Sequence, residues 1–294
     1  IIDNAGTGEH GIYLSSAGGD SARVLVARNV VKSSADNGRG GIQVRGGNHL
    51  TISENQISGF QDGIRFGLST GSKGTDDSTI ADNTIEAPAR YGIWGSEATS
   101  NRMRITGNKV FNAGTNGLRS DTWLTNSVIS ENEIYLAGAS GMRLNGVLNS
   151  LFANNKLRDL DSDANGPDGD TSAGIRLYSS NNNNTWTGND VSSSNTGSFH
   201  LYSLSMADIA GTGNHFIGNI FGNARSSVYN FGGTTGTDNY FNSADRFSNI
   251  RFADRWPSIQ AAISDAGTTG MVVIPSSYTG TDTFTNPNKI RVVD

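Results

Sequence analysis

Arginine recurs at one position of a short pattern, glycine–apolar–X–apolar, that repeats along the 294-residue sequence. Because side chains alternate along a strand, the X residue faces away from its two apolar neighbours. Successive X residues are Tyr13, Gln43, Arg65, Trp94, Arg119, Arg143, Arg176, His200 and Tyr229. Arginine binds carboxylates through paired hydrogen bonds, and aromatic rings beside it can stack on sugars. The pattern therefore favours a surface that binds an elongated anionic ligand, such as an acidic polysaccharide, over the alternative of ordinary solvated strand residues.

A second outward row lies two residues further along each repeat: Ser15, Arg45, Gly67, Ser96, Asp121, Asn145, Tyr178, Tyr202 and Phe231. Proton removal beside a uronate carboxylate requires a cation to neutralise the carboxylate, together with a base and an acid. We assign the cation role to Arg143 and Arg176, and the acid and base roles to His200, Tyr178 and Tyr202. Asp121 is an alternative general base. The residues assigned to substrate binding are Arg65, Trp94, Arg119, Asp121 and Asn145.

An acidic loop, DLDSDANGPDGDTS at 159–172, precedes the repeat GIRL. Oxygen-bearing side chains at alternate positions, followed by glycine, are typical of the start of a calcium-binding loop. The candidate ligands are Asp161, Asp163, Asn165, Asp168 and Asp170. Ser172 replaces the terminal glutamate of an EF-hand, so an EF-hand is not expected. Two interpretations stay open, a looser Ca²⁺ site and a turn that binds no metal.

Composition excludes several classes of protein. The chain has 38 glycines, no cysteine, 35% hydrophobic residues and a net charge of −5. Disulfides and cysteine nucleophiles are therefore excluded. The sequence contains no apolar run of about 18 residues, so a membrane span is not expected. An acidic chain without a nucleic-acid-binding motif disfavours nucleic acid as a partner.

These residues need a scaffold, and the repeats predict it. Each glycine–apolar–X–apolar unit is followed by a second short strand and then by asparagine–X–apolar, with successive asparagines 23 to 34 residues apart. Strands of three to five residues are too short to fold alone, so they must stack as coils. We predict an all-β, right-handed parallel β-helix of about nine coils. The asparagines are Asn29, Asn55, Asn83, Asn108, Asn132, Asn155, Asn189, Asn219 and Asn242.

The same alignment predicts the core and the corners. One inward file contains Ile12, Ile42, Ile64, Ile93, Leu118, Met142 and Ile175, and another contains Ile52, Ile80, Ile105, Ile129, Phe152 and Trp186. We expect each asparagine to adopt a left-handed backbone conformation at a corner and to bond to the asparagine of the next coil. The glycine before each strand is expected to allow a second tight corner.

The corner asparagines together with the GIxL strands resemble the pectate-lyase-like superfamily over about residues 9–242. The resemblance implies this fold and carbohydrate chemistry, although the fold also hosts hydrolases, epimerases and phage tailspikes. The paired aspartates of β-helix hydrolases are missing from adjacent outward positions, which disfavours hydrolysis. Two functions remain, a polysaccharide lyase or uronan epimerase, and a non-catalytic carbohydrate-binding or structural module of a surface protein.

The repeat ends near Asn242, and we place a domain boundary between 1–249 and 250–294. In the second segment Pro257 suits a first helical turn, Ile259 and Ile263 form one helix face, and Gly267 can end the helix. A buried strand is expected at 271–274. This segment resembles the cap of a pectate-lyase-like domain. It could cover its own chain, reflect a permuted or tandem arrangement, or join copies head to tail, so both a monomer and a head-to-tail assembly are expected alternatives.

The opening residues IIDNAGTGEHGIYL already belong to a repeat, and neither an initiating methionine nor a signal-like segment precedes them. We therefore expect a processed chain or a fragment from an extracellular or cell-surface protein.

Overall fold

The structure is a computed structural model that describes most of the first 222 residues and short strands beyond them. The described residues are 2–4, 9–15, 23–33, 38–68, 74–122, 124–160, 173–179, 181–192, 202–208, 211–222, 227–230, 240–241, 246–247, 250–252, 271–275 and 290–293. Within them the regular structure is strand, with no helix, and hence no helix long and apolar enough to cross a membrane.

The strands form a right-handed parallel β-helix with three long sheets, named A, B and C here. Sheet A contains Ile2–Asn4, Val30–Ser33, Gln56–Ser58, Thr84–Glu86, Lys109–Phe111, Glu133–Tyr135, Lys156–Arg158, Asp190–Val191, Ile220–Phe221 and Arg246–Phe247. Sheet B contains His10–Leu14, Gly38–Val44, Phe60–Phe66, Tyr91–Gly95, Asn116–Ser120, Met142–Asn145, Ala173–Tyr178, Tyr202–Asp208 and Ser227–Asn230. Sheet C contains Leu25–Ala27, Thr51–Ser53, Thr79–Ala81, Arg104–Thr106, Val128–Ser130, Leu151–Ala153, Thr185–Thr187, His215–Ile217 and Tyr240–Phe241.

Two short sheets complete the described strands. One lies between sheets B and C along the chain and contains Ser100–Asn101, Leu124–Thr125 and Val147–Leu148. The other contains Ile250–Phe252, Met271–Pro275 and Ile290–Val293. The strand expected at 271–274 is therefore confirmed. The helix expected around Pro257–Gly267 lies outside the described residues, and the domain boundary at 249/250 stays a prediction.

The fold class predicted from the repeats is confirmed, but the predicted number of coils is not. The solenoid has about six turns, fewer than the nine predicted. These turns correspond to the nearly continuous stretch from Gly38 to Ser192. Strands before and after this stretch extend the sheets by parallel pairing, for example between 10–14 and 40–44.

Both predicted core files are confirmed, because their members pair strand to strand. Ile64, for instance, is in register with Ile42 and Ile93, and Ile105 with Ile80 and Ile129. Sheet A supplies a third file that the sequence analysis did not identify. Its members are Val31, Ile57, Ile85, Val110, Ile134, Leu157, Val191 and Phe221, and all of them are buried. The three files together form one continuous apolar core.

The asparagine ladder is confirmed from Asn29 to Asn219, and Asn242 lies outside the described residues. Asn55 donates from its backbone N–H and its side-chain amide to Oδ1 of Asn83, at 3.0 and 2.9 Å. The same amide donates to the carbonyl of Val26 in the preceding coil, at 2.9 Å. Equivalent bonds continue the ladder from Asn29 to Asn219. A buried amide is favourable only when it is paired, and the ladder amides from Asn55 to Asn189 each bond to both neighbouring coils.

Two predicted backbone features are wrong. The left-handed residue at the asparagine corner is the one before the asparagine, such as Glu54 with φ of 55° or Asp82 with φ of 55°. The asparagine itself is thereby free to point its side chain inward. Gly63 does not have a positive φ, so tight cornering does not explain the repeated glycine. A Cβ atom at Gly63 would lie 2.4 Å from Ile85 Cγ2 and 2.6 Å from the Gly92 carbonyl oxygen, so close packing requires glycine there.

A second buried ladder, not predicted from the sequence, runs along the corner before sheet C. The backbone N–H groups of Met103 and Ser127 donate to the hydroxyls of Ser127 and Ser150, each at 3.0 Å. Asparagine then replaces serine, since the N–H of Ser150 donates to Oδ1 of Asn184 at 2.9 Å. The mixture of serine and asparagine conceals this ladder in the sequence.

We predict that Asn108→Ala lowers the free energy of unfolding by about 1–3 kcal/mol, because the buried N–H of Asn83 loses its acceptor. Urea unfolding followed by circular dichroism measures the change. The matched control is Lys109→Ala, since Lys109 is exposed and its ion pair with Glu133 is long, at 3.9 Å. Equal losses in the two variants would mean that the ladder does not stabilise the coils.

Candidate functional site

Sheet B carries the predicted arginine row on its outward face. The pairing puts Tyr13, Gln43, Arg65, Trp94, Arg119, Arg143 and Arg176 in register. The row then departs from the prediction. Arg176 is in register with Ser205, so Ser205 occupies the position assigned to His200. In the next strand Tyr229 is in register with Leu204, and Asn230 takes the row position assigned to Tyr229.

Asp121 is the centre of this face. Its Oδ1 accepts a hydrogen bond from Arg119 Nε at 2.8 Å and one from Arg143 at 3.3 Å. Its Oδ2 accepts the indole N–H of Trp94 at 2.9 Å, and its backbone oxygen accepts from the amide of Asn145 at 3.0 Å. Opposite charge thus offsets the repulsion expected between arginines on adjacent strands. Asp121 accepts these bonds as a carboxylate, so the structure gives it a positioning role in addition to the base role considered from the sequence.

The aromatic residues of the row are packed against arginines. The Arg65 guanidinium lies 3.9 Å from the centroid of the Trp94 ring, and it pairs with Glu97 at 3.1 Å. Tyr91 contacts Trp94 edge to face, with 5.0 Å between ring centroids. Its hydroxyl oxygen accepts a hydrogen bond from Arg119 at 2.6 Å. Cation–π and hydrogen-bond contacts therefore hold these side chains in fixed orientations.

Arg143, Arg176 and Tyr178 form the C-terminal end of the described site. Arg176 donates to the Tyr178 hydroxyl oxygen at 3.0 Å, and its guanidinium lies 4.4 Å from the ring centroid. Arg143 lies 4.8 Å from the same centroid. Because the phenol oxygen accepts from Arg176, its own hydrogen is left for another acceptor. Arg176 is only 5% exposed, so a ligand would reach it through Tyr178 and Arg143.

A buried carboxyl group, Asp62, lies at the other end of the face. Asp62 is in register with Tyr91, and its Oδ2 accepts from Arg90 at 2.8 Å. Burial raises the pKa of Asp62, although Arg90, Arg65 and Arg119 act in the opposite direction. Its Oδ1 is buried and has no hydrogen-bond partner among the described residues. The loss of hydration therefore outweighs the ion pair.

The structure brings together eight residues assigned from sequence: Arg65, Trp94, Arg119, Asp121, Arg143, Asn145, Arg176 and Tyr178. The remaining residues assigned from sequence are not placed at this site by the structure. His200 and the five candidate Ca²⁺ ligands, Asp161, Asp163, Asn165, Asp168 and Asp170, lie outside the described residues. Tyr202 begins a strand and is in register with Ala173, which is not the row position assigned to it.

Four residues of the face were missed from sequence: Asp62, Arg90, Tyr91 and Glu97. Asp62 and Tyr91 each stand immediately before the repeated glycine, in DGIR and YGIW. A comparison of that position across repeats would have identified both. Arg90 and Glu97 flank their strand and became evident only from contacts between coils.

We predict that Asp121→Asn lowers the free energy of unfolding by about 1.5–3 kcal/mol, because two arginines lose a charged acceptor. Urea unfolding measures it. Glu54→Gln is the control, since it breaks the exposed Arg28–Glu54 pair and should cost no more than about 1 kcal/mol. An effect of Asp121→Asn as small as that of the control would contradict the central position of Asp121.

The raised pKa of Asp62 predicts an unusual dependence of the protein's stability on pH. A carboxyl whose pKa is raised by folding contributes stability at low pH, which is lost as the pH rises above its unfolded value of 3.8. Wild type should therefore lose stability relative to Asp62→Asn between about pH 3 and pH 7. Unfolding free energies across this range test it.

The control for Asp62→Asn is Asp77→Asn, for which the expected change of stability with pH is opposite in sign. A hydrogen bond from Arg102 lowers the pKa of Asp77. Wild type should therefore gain stability relative to Asp77→Asn as the pH rises. If wild type also gained stability over Asp62→Asn, the Arg90 pair would outweigh burial.

Solved structures with some similarity to this chain are carbohydrate-acting by name. The mannuronan C-5 epimerase AlgE4 A-module of Azotobacter vinelandii is 11% identical, with a TM-score of 0.48, over 94% of this chain and 84% of its own. Mutant C387A of DFA-IIIase from Arthrobacter chlorophenolicus A6, in complex with DFA-III, is 20% identical, with a TM-score of 0.46, over 80% of this chain. This chain spans 57% of the length of that DFA-IIIase chain. At such TM-scores the likeness does not bear on function.

No curated protein sequence matches the chain. A protein family does: residues 3–164 match the family described as periplasmic copper-binding protein (NosD).

The described residues do not fit a copper ion. They contain no group of three histidine, cysteine, aspartate or glutamate side chains that could hold a metal. Cysteine, a preferred ligand of Cu(I), is absent from the sequence. Three of the four methionines, Met103, Met142 and Met206, are described as to burial, and all three are buried in the core. Fold and sequence nevertheless agree with the family match, which covers more than half of the 294 residues, and the chain therefore belongs to the NosD family.

Proposed function

We propose that the chain binds an acidic polysaccharide along the outward face of sheet B and acts on its uronate units by β-elimination or epimerisation. One observation carries the proposal. Within the described residues of an acidic protein, this face gathers Arg65, Arg90, Arg119, Arg143 and Arg176 against three carboxylates, those of Asp62, Glu97 and Asp121. The excess of cations, with aromatic rings between them, suits an anionic sugar chain.

The chemistry requires a carboxylate to be neutralised before its neighbouring C–H can lose a proton. Arg143 would pair with the substrate carboxylate, and buried Arg176 behind Tyr178 would help to stabilise the negative charge that develops. A base takes the C5 proton, and the electron pair then forms the C4–C5 double bond as the C4–O bond breaks. Tyr178, whose oxygen accepts from Arg176, would donate its hydrogen to the leaving oxygen. In epimerisation the carbanion instead regains a proton on the opposite face.

For the base we keep His200, which lies outside the described residues, because Asp121 is already bonded to arginines and Tyr202 is in register with Ala173 and not with the outward row. Calcium, if held by Asp161, Asp163, Asn165, Asp168 and Asp170, would supply further positive charge to neutralise a uronate carboxylate. The family description, periplasmic, supports a location outside the cytoplasm.

A second candidate function is binding without catalysis. The observation that favours it is the pairing of the arginines: Arg65 with Glu97, Arg90 with Asp62, and Arg119 and Arg143 with Asp121. Such a network can present a rigid cationic surface without any reactive group. A carbohydrate-binding or structural module would use it for adhesion.

We predict that the protein releases unsaturated uronate products, detected by ultraviolet absorbance, from alginate, pectate or a glycosaminoglycan. Arg143→Ala and Tyr178→Phe should each lower the rate about 100-fold, as expected when one charge-stabilising or proton-donating group is lost. Arg104→Ala, an exposed arginine on sheet C, is the control and should leave the rate unchanged. Assays with Ca²⁺ and with chelator test the calcium assignment.

The outcomes separate the alternatives. If the ultraviolet absorbance does not rise but the polymer incorporates deuterium from D₂O, the reaction is epimerisation. Retention of an acidic polysaccharide on immobilised protein without either reaction indicates the binding module. If no acidic polysaccharide is retained, and Arg143→Ala behaves like Arg104→Ala, the proposed function is wrong.

A further inference from the structure

Sheet A carries a surface cavity that the sheet-B site does not use. Its volume is about 230 Å³, and it is lined by Lys32, Gln56, Ile57, Ser58, Thr84 and Glu86. The register explains why a cavity forms there. Ser58 lies between Lys32 and Glu86 on the neighbouring strands, so one short side chain separates two long ones. Buried Ile57 lies beneath.

The side chains that line the cavity carry balanced charge and both donate and accept hydrogen bonds. Lys32 and Glu86 are exposed, carry opposite charges and stand two strands apart, roughly 10 Å at about 4.8 Å per strand. Between them the amide of Gln56 and the hydroxyls of Ser58 and Thr84 both donate and accept hydrogen bonds. An anion drawn to Lys32 would be repelled by Glu86. A neutral ligand rich in hydroxyl groups can satisfy every one of these side chains.

An aromatic pair continues the same row along the solenoid. Phe111 is in register with Glu86, and Tyr135 with Phe111. The two rings stack with 5.6 Å between centroids and 11° between planes. Both are partly exposed. Glu133, which pairs with Lys109 and Lys156 at 3.9 and 3.3 Å, lies in the adjacent row. An apolar surface thus follows directly after a hydrogen-bonding cavity.

We propose that this row of sheet A, from Lys32 through Ser58 and Glu86 to Phe111 and Tyr135, is a second carbohydrate site that takes a neutral, linear oligosaccharide. One sugar unit occupies the cavity and bonds through its hydroxyls to Lys32, Gln56 and Glu86. The following units contact Phe111 and Tyr135 through their C–H faces. The row spans about 19 Å over five strands, so several units fit in line. This site goes beyond the function proposed for sheet B, because it lies on a different sheet and excludes anions.

The test uses the whole chain with cellohexaose, xylohexaose, mannohexaose and laminarihexaose as probes. Binding is followed by saturation-transfer difference NMR and by calorimetry. Ser58→Trp fills the cavity and should abolish binding of the preferred probe. Ser53→Trp is the matched control, because Ser53 is a half-buried serine at the end of the sheet-C strand in the same coil. It should bind like wild type.

Two further variants keep the result interpretable. Glu86→Ala removes one acceptor from an exposed position and should weaken binding about tenfold without affecting the fold. Arg143→Ala, on sheet B, should leave neutral-sugar binding unchanged. Circular dichroism and thermal midpoints establish that each variant is folded.

The proposal is overturned if none of the four probes binds wild type, or if Ser58→Trp and Ser53→Trp weaken binding equally. Retention of alginate or pectate by the same proteins is measured in parallel. If wild type binds a neutral probe but retains no alginate or pectate, only the sheet-B function is contradicted. If wild type retains alginate or pectate but binds no neutral probe, only the sheet-A site is contradicted.

Discussion

Hydrogen bonding between successive coils is the constraint on which the rest of this molecule depends. Each coil is too short to be stable alone, and the asparagine ladder from Asn29 to Asn219 joins each coil to the next. The amide must point inward, which is why the residue before it takes the left-handed conformation. The repeated glycine then lets the strand of sheet B lie close to the core. With these positions fixed, outward side chains on neighbouring strands have defined spacing.

That spacing decides the character of the sheet-B face. Arginines on strands about 4.8 Å apart would repel one another if they stood alone. Asp121 lies where it can accept hydrogen bonds from Arg119 and Arg143 at once, and Trp94 donates to its second oxygen. The cations are therefore held in fixed positions and are only about one-fifth exposed, with Arg119 and Arg143 at 18%. Preorganisation of this kind reduces the entropy lost when a ligand binds.

The fold could be predicted from sequence because its signals are local and repeated. Ile64 and Ile93 recur with the same neighbours, and period-two alternation assigns them to the core. The outward row could be predicted for the same reason as far as Arg176. The prediction failed at His200 because Ser203 replaces the repeated glycine in the strand Tyr202–Asp208, and because the register shifts between Arg176 and Tyr178. Glu97 comes from another coil and no sequence spacing reveals it, whereas Asp62 shares with Tyr91 the position before the repeated glycine.

The file of sheet C changes size along the solenoid, and this has a consequence for assembly of the chain. Isoleucine at 52, 80, 105 and 129 gives way to Phe152, Trp186 and Phe216, whose rings stack with centroids 3.8 and 5.8 Å apart. A coil that slipped by one position would set a ring against the space of an isoleucine, or leave a void where a ring belongs. The size of the core side chain therefore differs from coil to coil, and this difference favours the correct pairing of each coil with its neighbours.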